Sequence, residues 1–199
     1  MEMDDLVADL ARLIGEVSTD DVVLCGESFG GALSLSLALK HPNLVTGLVI
    51  VNSFPFIRSR WKLYVGPYAL RLMPWGAMPV ARRFTEAKIH SPHCDPDDLH
   101  EFRERSKAIG KRGYLKRIQI LQSYDIRERL HELEAPTLFL AGDHDRLIPA
   151  VEEARFMSER APFAEMEVLK GYGHVCLINH DLNLLDYIGP WYDRVGPGD

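Results

Sequence analysis

Hydrophobic residues along the chain follow two alternating patterns. Over residues 3–17, apolar side chains recur at steps of three and four, which predicts an amphipathic helix with one apolar stripe. Residues 22–25 and 45–51 are continuous apolar runs instead, separated by an alanine- and leucine-rich segment with helical spacing. A similar run returns at residues 137–142, and residues 165–169 form the last predicted strand. Strands without a polar face, separated by helices, indicate a parallel sheet covered on both sides, so the sequence predicts an α/β fold.

The region between these two blocks has a different character. Residues 52–125 open with prolines and aromatics, continue with charged segments of helical type, and contain no convincing strand pattern. An insertion of roughly 70 residues between two sheet strands usually has a function of its own, such as a lid. We therefore divide the chain into a core at residues 1–54 and 125–199 and a helical lid at residues 55–124.

The composition limits the classes of function. A chain of 199 residues, 46% apolar and 26% charged, is long enough for one domain with a substantial core. Its net charge of -6 gives no overall basic surface of the kind that binds polyanions. The densest basic region, residues 103–117, begins among Glu101 and Glu104 and has the spacing of a solvated helix face. Nucleic acid is therefore not expected as a partner.

Three observations bear on the location of the protein. The first residues, MEMDDL, lack the basic and apolar regions of a signal peptide. No apolar run approaches the roughly 18 residues needed to span a bilayer. Cys25, Cys94 and Cys176 are too few and too scattered for a disulfide framework, and Cys25 is expected to be a small buried hydrophobe. These observations predict a cytoplasmic protein without a membrane span.

A serine lies in a sharp turn between the first strand and the next helix. The segment Gly26-Glu27-Ser28-Phe29-Gly30 has the pattern GxSxG, and in this setting it is a nucleophile elbow, which lifts the serine hydroxyl above the sheet. Ser28 is therefore the candidate nucleophile. The alternative interpretation is a glycine-rich loop that starts an ordinary helix.

A nucleophilic serine needs a base within hydrogen-bond reach and a carboxylate to orient that base. The sequence provides Asp143 and Asp145 directly after the third strand, and His174 after the fourth. Because the carboxyl ends of parallel strands gather at one edge of a sheet, we expect Ser28, one of these aspartates and His174 to converge.

Other histidines cluster at residues 90–100, together with a cysteine. His90, His93, Cys94 and His100 lack the paired spacing of a metal site, and we interpret this segment as a solvated loop. The sequence therefore predicts no metal and no cofactor.

Three motifs together resemble a known fold family. GESFGG matches the nucleophile elbow of the α/β-hydrolases of the lid-bearing esterase type, GDHDRLIP resembles their acid loop, and GYGH resembles their histidine loop. The order Ser, Asp, His is also the order of that fold. The resemblance selects Asp145 over Asp143 as the acid by its distance from Gly142 and Pro149. Asp143 is then expected to bond to the loop backbone, and His144 to have an exposed structural role.

The resemblance implies a serine hydrolase that cleaves a carboxylic ester or related acyl bond of a small-molecule substrate. Ser28, His174 and Asp145 would form its catalytic triad, and the N–H of Phe29 would donate one hydrogen bond to the oxyanion. Hydrolysis of a carbon–carbon bond and acyl transfer use the same residues and remain open.

The chain also departs from the family, whose catalytic domain has further strands before the elbow. Those strands carry the loop with the second oxyanion donor. We expect a fragment, a mispredicted start or one half of a split protein, with an exposed sheet edge at residues 22–25. This edge would favour self-association or a partner chain. The alternative function is accordingly a non-catalytic domain that binds a small apolar ligand or a partner chain.

Overall fold

The computed structural model describes residues 2–17, 21–58, 86, 88–91, 94–106 and 111–196. Within them, one sheet contains four parallel strands in sequential order. These strands are β1 (Val23–Glu27), β2 (Gly47–Val51), β3 (Thr137–Gly142) and β4 (Ala164–Leu169). The sheet and its helices confirm the predicted α/β fold.

The described helices alternate with the strands. They are α1 (Met3–Val17), α2 (Phe29–Lys40), α3 (Pro96–Ser106), α4 (Lys111–Ser123), α5 (Ala150–Ser158) and α6 (Leu185–Val195), with short 3-10 helices at Pro42–Leu44 and Arg127–Glu132. None of the described helices is long and apolar enough to cross a membrane.

The two faces of the sheet pack against different helices. On one face, side chains of α1, α2 and α5 form a core with alternate residues of β2 and β3, such as Ile50 and Phe139. On the other face, the remaining alternate residues, such as Val49 and Leu140, pack around Trp191 of α6. Every residue of β2 and β3 is buried, which explains why both strands lack a polar face in the sequence.

Strand β1 differs from these central strands. It pairs with β2 on one side, and no strand of the described residues pairs with its other side. Cys25 is exposed on this strand, so the expectation of a buried cysteine is wrong. The physical reason is that a continuous apolar run predicts burial on both faces, and β1 is buried less completely than β2.

The predicted lid begins and ends at an isolated antiparallel bridge between Phe56 and Asp125. Beyond this bridge the structure describes helices α3 and α4, whereas the aromatic stretch at residues 61–75 lies outside the described residues. The division into core and lid thus stays a prediction. Of the basic residues at 103–117, predicted on one solvated face, Arg103 and Arg105 belong to α3 and those at 111–117 to α4, whereas Lys107 lies outside the described residues.

Candidate active site

Ser28 lies between β1 and α2, and its backbone has a conformation that non-glycine residues rarely adopt. Its φ is 55°, in the region where a non-glycine residue is strained. The end of β2 holds it there, because Ser28 N donates to Val51 O over 2.8 Å and Ser53 Oγ donates to Ser28 O over 2.8 Å. Gly26 allows the close turn, since a Cβ at this position would lie 2.6 Å from the backbone of Gly30.

The predicted serine, histidine and aspartate form one hydrogen-bonded chain. Ser28 Oγ lies 2.7 Å from His174 Nε2, and His174 Nδ1 lies 2.6 Å from Asp145 Oδ2. The side chains of His174 and Asp145 are only 4% and 1% exposed. The structure therefore brings together the three residues that the sequence singled out, although they are as much as 146 positions apart.

The carboxylate of Asp145 fixes the direction of this chain. A carboxylate accepts hydrogen bonds, so Nδ1 of a neutral His174 carries the proton and Nε2 accepts the proton of Ser28. The second oxygen, Oδ1, accepts from Leu147 N over 2.8 Å and from Ile148 N over 3.0 Å. The acid loop thus orients the carboxylate, which orients the imidazole in turn.

The neighbouring Asp143 and His144 have other contacts. Asp143 Oδ1 accepts from Gly171 N over 2.7 Å, so this aspartate binds loop backbone as predicted. His144 is exposed, also as predicted, and its backbone N–H donates to Tyr172 O over 3.0 Å. Both residues therefore connect the acid loop to the histidine loop without joining the chain from Ser28 to Asp145.

Two further residues contact the histidine loop, and the sequence analysis missed both. Asn52, directly after β2, is 1% exposed and donates from Nδ2 to the carbonyl oxygens of Gly173 and His174, each over 2.9 Å. Glu27, the residue before Ser28, accepts through Oε1 from Cys176 N over 2.7 Å. The position of Asn52 at the carboxyl end of a buried strand is the signal that could have identified it.

Phe29 is the first residue of α2 and directly follows Ser28. The first N–H groups of a helix have no partner within it, so Phe29 N–H is available to an oxyanion. The guanidinium of Arg117, on α4, lies over the Phe29 ring, 5.7 Å from its centroid. We assign no second oxyanion donor among the described residues.

His90 is buried, with 4% of its surface exposed, so the interpretation of its segment as a solvated loop is wrong at this residue. The ring packs edge-on against Phe102, with centroids 4.7 Å apart, and burial lowers the pKa of its imidazole. His100 is exposed as expected, and His93 lies outside the described residues. Among the residues that the structure describes, no group of three or more His, Cys, Asp or Glu is arranged to hold a metal.

The surroundings of the three cysteines disfavour them as nucleophiles. Desolvation by neighbouring groups and the negative charge of Glu27 raise the pKa of the Cys25 and Cys176 thiols, although the Cys25 side chain is exposed at the edge of the sheet. Burial and Asp98 do the same for the pKa of Cys94. Since the thiolate is the reactive form, these shifts favour the unreactive thiol in all three cysteines.

The parallel sheet, the strained serine after β1 and the polar residues after β3 and β4 define an α/β-hydrolase. Within this class the chain belongs to the serine aminopeptidase family S33, which it matches over residues 1–181. The chain is therefore a member of a family of hydrolases, and the resemblance inferred from the three motifs is confirmed.

Similar proteins include enzymes named for acyl substrates. The chain is 29% identical to RutD of Serratia proteamaculans, a candidate carbamate hydrolase, over 74% of this chain and 57% of that protein. It is 26% identical to the pimeloyl-[acyl-carrier protein] methyl ester esterase of Nitrosospira multiformis, over 90% of this chain and 71% of that enzyme. The chain thus spans little more than half of the first relative and about 71% of the second.

Solved structures share the same fold at lower sequence identity. A thermophilic esterase from Thermogutta terrifontis superimposes with a TM-score of 0.83 at 21% identity, over 99% of this chain and 74% of the esterase. This likeness supports the fold and leaves the substrate open.

Proposed function

We propose that the chain is a serine hydrolase that cleaves a carboxylic ester or a related acyl bond of a small molecule. The observation that carries this proposal is the unbroken hydrogen-bonded chain from Ser28 Oγ through His174 to Asp145. The relatives named as a methyl ester esterase and a candidate carbamate hydrolase support it, since both names describe attack on an acyl carbon. A cytoplasmic location remains a prediction of the sequence.

In the first half of the reaction, Ser28 Oγ attacks the carbonyl carbon of the substrate and its proton passes to His174 Nε2. Asp145 stabilises the imidazolium that forms. When the bond from the acyl carbon to the leaving oxygen breaks, Nε2 returns the proton to that oxygen. The products of this half are a free alcohol and an acyl group on Ser28.

In the second half, water replaces the alcohol. A water molecule gives one proton to His174 Nε2 and attacks the acyl carbon, and Ser28 Oγ leaves with that proton. In both halves the carbonyl oxygen becomes negatively charged, and Phe29 N–H donates to it. Loss of one such donor costs on the order of 100- to 1000-fold in rate, so the second donor decides how fast the chain turns over.

A panel of p-nitrophenyl acyl esters of graded chain length tests this proposal. We expect hydrolysis that depends on Ser28, so that Ser28→Ala is inactive while its circular dichroism spectrum is unchanged. Ser158→Ala is the matched control, because its hydroxyl donates to Arg155 O on α5, away from the site. Equal hydrolysis by the wild type and Ser28→Ala would refute the proposal. A version extended at its N-terminus, tested in parallel, measures the contribution of any preceding segment.

The outer side of β1 favours a second candidate function, the binding of a partner chain or of another copy. Unpaired backbone groups on a strand are a template for pairing, and β1 pairs on one side only within the described residues. This function predicts a concentration-dependent oligomer in sedimentation velocity and no Ser28-dependent hydrolysis. A monomer at all concentrations would count against it.

A further inference from the structure

The histidine loop, residues 173–177, is held by two polar side chains from the ends of β1 and β2. We propose that Asn52 and Glu27 are positioning residues, which together set the place of the His174 imidazole relative to Ser28. This inference rests on the proposed function, in which His174 is the base.

Asn52 connects three segments through one side chain. Its Nδ2 donates to Gly173 O and His174 O, each over 2.9 Å, and its Oδ1 accepts from Gly142 N over 2.7 Å. The backbone N of Asn52 also donates to Leu140 O over 2.9 Å. Its φ of 44° is one that asparagine tolerates better than most residues. Asn52 therefore fixes the carbonyl side of the histidine loop to the ends of β2 and β3.

Glu27 contacts the same loop just after the histidine. Its Oε1 accepts from Cys176 N over 2.7 Å and from Leu177 N over 3.1 Å. Because Glu27 directly precedes Ser28, these bonds connect the strand of the nucleophile to the loop of the base. Asn52 thus donates to carbonyl oxygens at the start of the histidine loop, and Glu27 accepts from N–H groups at its end.

This arrangement bears on proton transfer, because Ser28 Oγ and His174 Nε2 lie only 2.7 Å apart. A displacement of about 1 Å at a reacting group costs on the order of 100-fold in rate. Replacing a residue that acts in this way lowers kcat and leaves KM nearly unchanged, since the residue does not contact the substrate. It also changes the hydrogen bond between His174 Nδ1 and Asp145, which can be observed without any substrate.

The test uses Asn52→Gly, Glu27→Ala and Glu27→Gln in the full chain. Glycine keeps the backbone conformation of Asn52 and removes all of its side-chain bonds. Glutamine keeps an oxygen acceptor at position 27, and alanine removes it. Thr137→Val is the matched control, because it removes another buried hydrogen bond, from Oγ1 to Ala135 O, at the opposite end of β3.

We expect Asn52→Gly and Glu27→Ala to lower kcat by about 100-fold with KM changed less than about twofold, and Glu27→Gln to recover most of the loss. In proton NMR, the downfield resonance of the His174 Nδ1–H should broaden or disappear in the first two variants and persist in Thr137→Val. An unchanged resonance together with an unchanged kcat would overturn the inference. If the wild type shows the resonance but no Ser28-dependent hydrolysis, the proposed function fails while the positioning role stands.

Helices α3 and α4 of the predicted lid differ in how their basic residues are paired, and this difference bears on the substrate. In α3, Arg105 pairs with Glu101, and Arg103 pairs with Glu86 over 2.9 Å. Helix α4 contains four basic residues, Lys111, Arg112, Lys116 and Arg117, and no acidic residue. Arg117, over the ring of Phe29, has no ion-pair partner among the described residues.

From this contrast we infer that Arg117 binds a negatively charged group, a carboxylate or a phosphate, on the acyl substrate. An arginine presents planar donors that match both oxyanions. In a chain with net charge -6, a cation over the residue that follows Ser28, without an ion-pair partner among the described residues, would attract an anionic substrate to that point. This inference also rests on the proposed function, and it adds a substrate class.

The test compares two p-nitrophenyl esters of equal length, one neutral and one ending in a carboxylate, and adds inorganic phosphate as a competitor. We expect Arg117→Gln to lower kcat/KM about 10-fold for the charged ester, equal to about 1.4 kcal/mol, and to leave the neutral ester within about twofold. Arg112→Gln on the same helix is the control. Inhibition of the wild type by phosphate alone, lost in Arg117→Gln, indicates a phosphate-bearing substrate. Equal losses on both esters would overturn the inference, whereas Ser28-independent hydrolysis of the neutral ester would refute the proposed function.

Discussion

The base side and the oxyanion side of Ser28 differ in how completely the described residues build them. On the base side, the Asp145 carboxylate, the His174 imidazole and the loops that carry them are bonded to one another and to the ends of β2 and β3. On the oxyanion side, the described residues supply Phe29 N–H next to β1, a strand that pairs on one side only within those residues. Proton transfer from Ser28 and stabilisation of the oxyanion therefore depend on different parts of the structure. We accordingly expect Ser28 to be activated even where hydrolysis is slow.

Replacing His174, the proposed base, should have the largest effect on kcat. We expect His174→Gln to lower kcat on the order of 10⁶-fold, or to the detection limit, because among the described residues His174 Nε2 is the acceptor bonded to Ser28 Oγ. His144→Gln, in the neighbouring loop, is the control and should change kcat less than about twofold. A large loss in the control, measured with the same ester, would move the base role to His144.

Replacing Asp145, the proposed acid, should have the next largest effect on kcat. Asp145→Asn keeps the shape but removes the charge that holds the Nδ1 proton, and comparable changes cost on the order of 10⁴-fold in kcat. Asp143→Asn retains an acceptor for Gly171 N and should stay within about threefold. The reverse ranking in a steady-state assay would show that the acid was assigned to the wrong aspartate.

The elbow itself gives a smaller effect, on stability. A methyl group at Gly26 would lie 2.6 Å from backbone atoms of Gly30, so Gly26→Ala should destabilise the fold by about 1–3 kcal/mol. Gly30→Ala is the matched control, since no described atom lies within 4 Å of its added Cβ. Its helical position makes alanine neutral or favourable there. Urea unfolding monitored by tryptophan fluorescence checks both, and equal midpoints would contradict the close turn.

The smallest effect is a dependence of local stability on pH at the contact between His180 and α3. The hydrogen bond from His180 Nδ1 to Asp98 raises the pKa of His180, and the charges of Glu101 and Asp95 act in the same direction. A raised pKa in the folded state stabilises the contact below the ordinary pKa of about 6.5, and the contribution is lost as the pH rises through the raised value. Amide hydrogen exchange in α3, corrected for intrinsic rates, should therefore be slower at pH 6 than at pH 9. His180→Gln should remove this difference, and a wild-type difference that persists in the variant would contradict the assignment.

The sequence could predict the site because its main residues carry local signals. Ser28, Asp145 and His174 each follow a predicted strand within a short recognisable motif, and parallel strands bring such loops to one edge. Asn52 and Glu27 act through backbone groups more than 100 positions away, which no local pattern reports. The exposure of Cys25 and the burial of His90 depend on which other segments pack against them. The local sequence around each residue does not show which segments these are.

The central claim is that Ser28 is an activated nucleophile, and covalent labelling tests it most directly. The folded chain is treated with a fluorophosphonate probe and analysed by intact mass and peptide mass spectrometry. The account predicts one adduct, on Ser28, which is absent in Ser28→Ala and strongly slowed in His174→Gln. No adduct on the folded wild type, or an adduct at another residue that persists in Ser28→Ala, would contradict it.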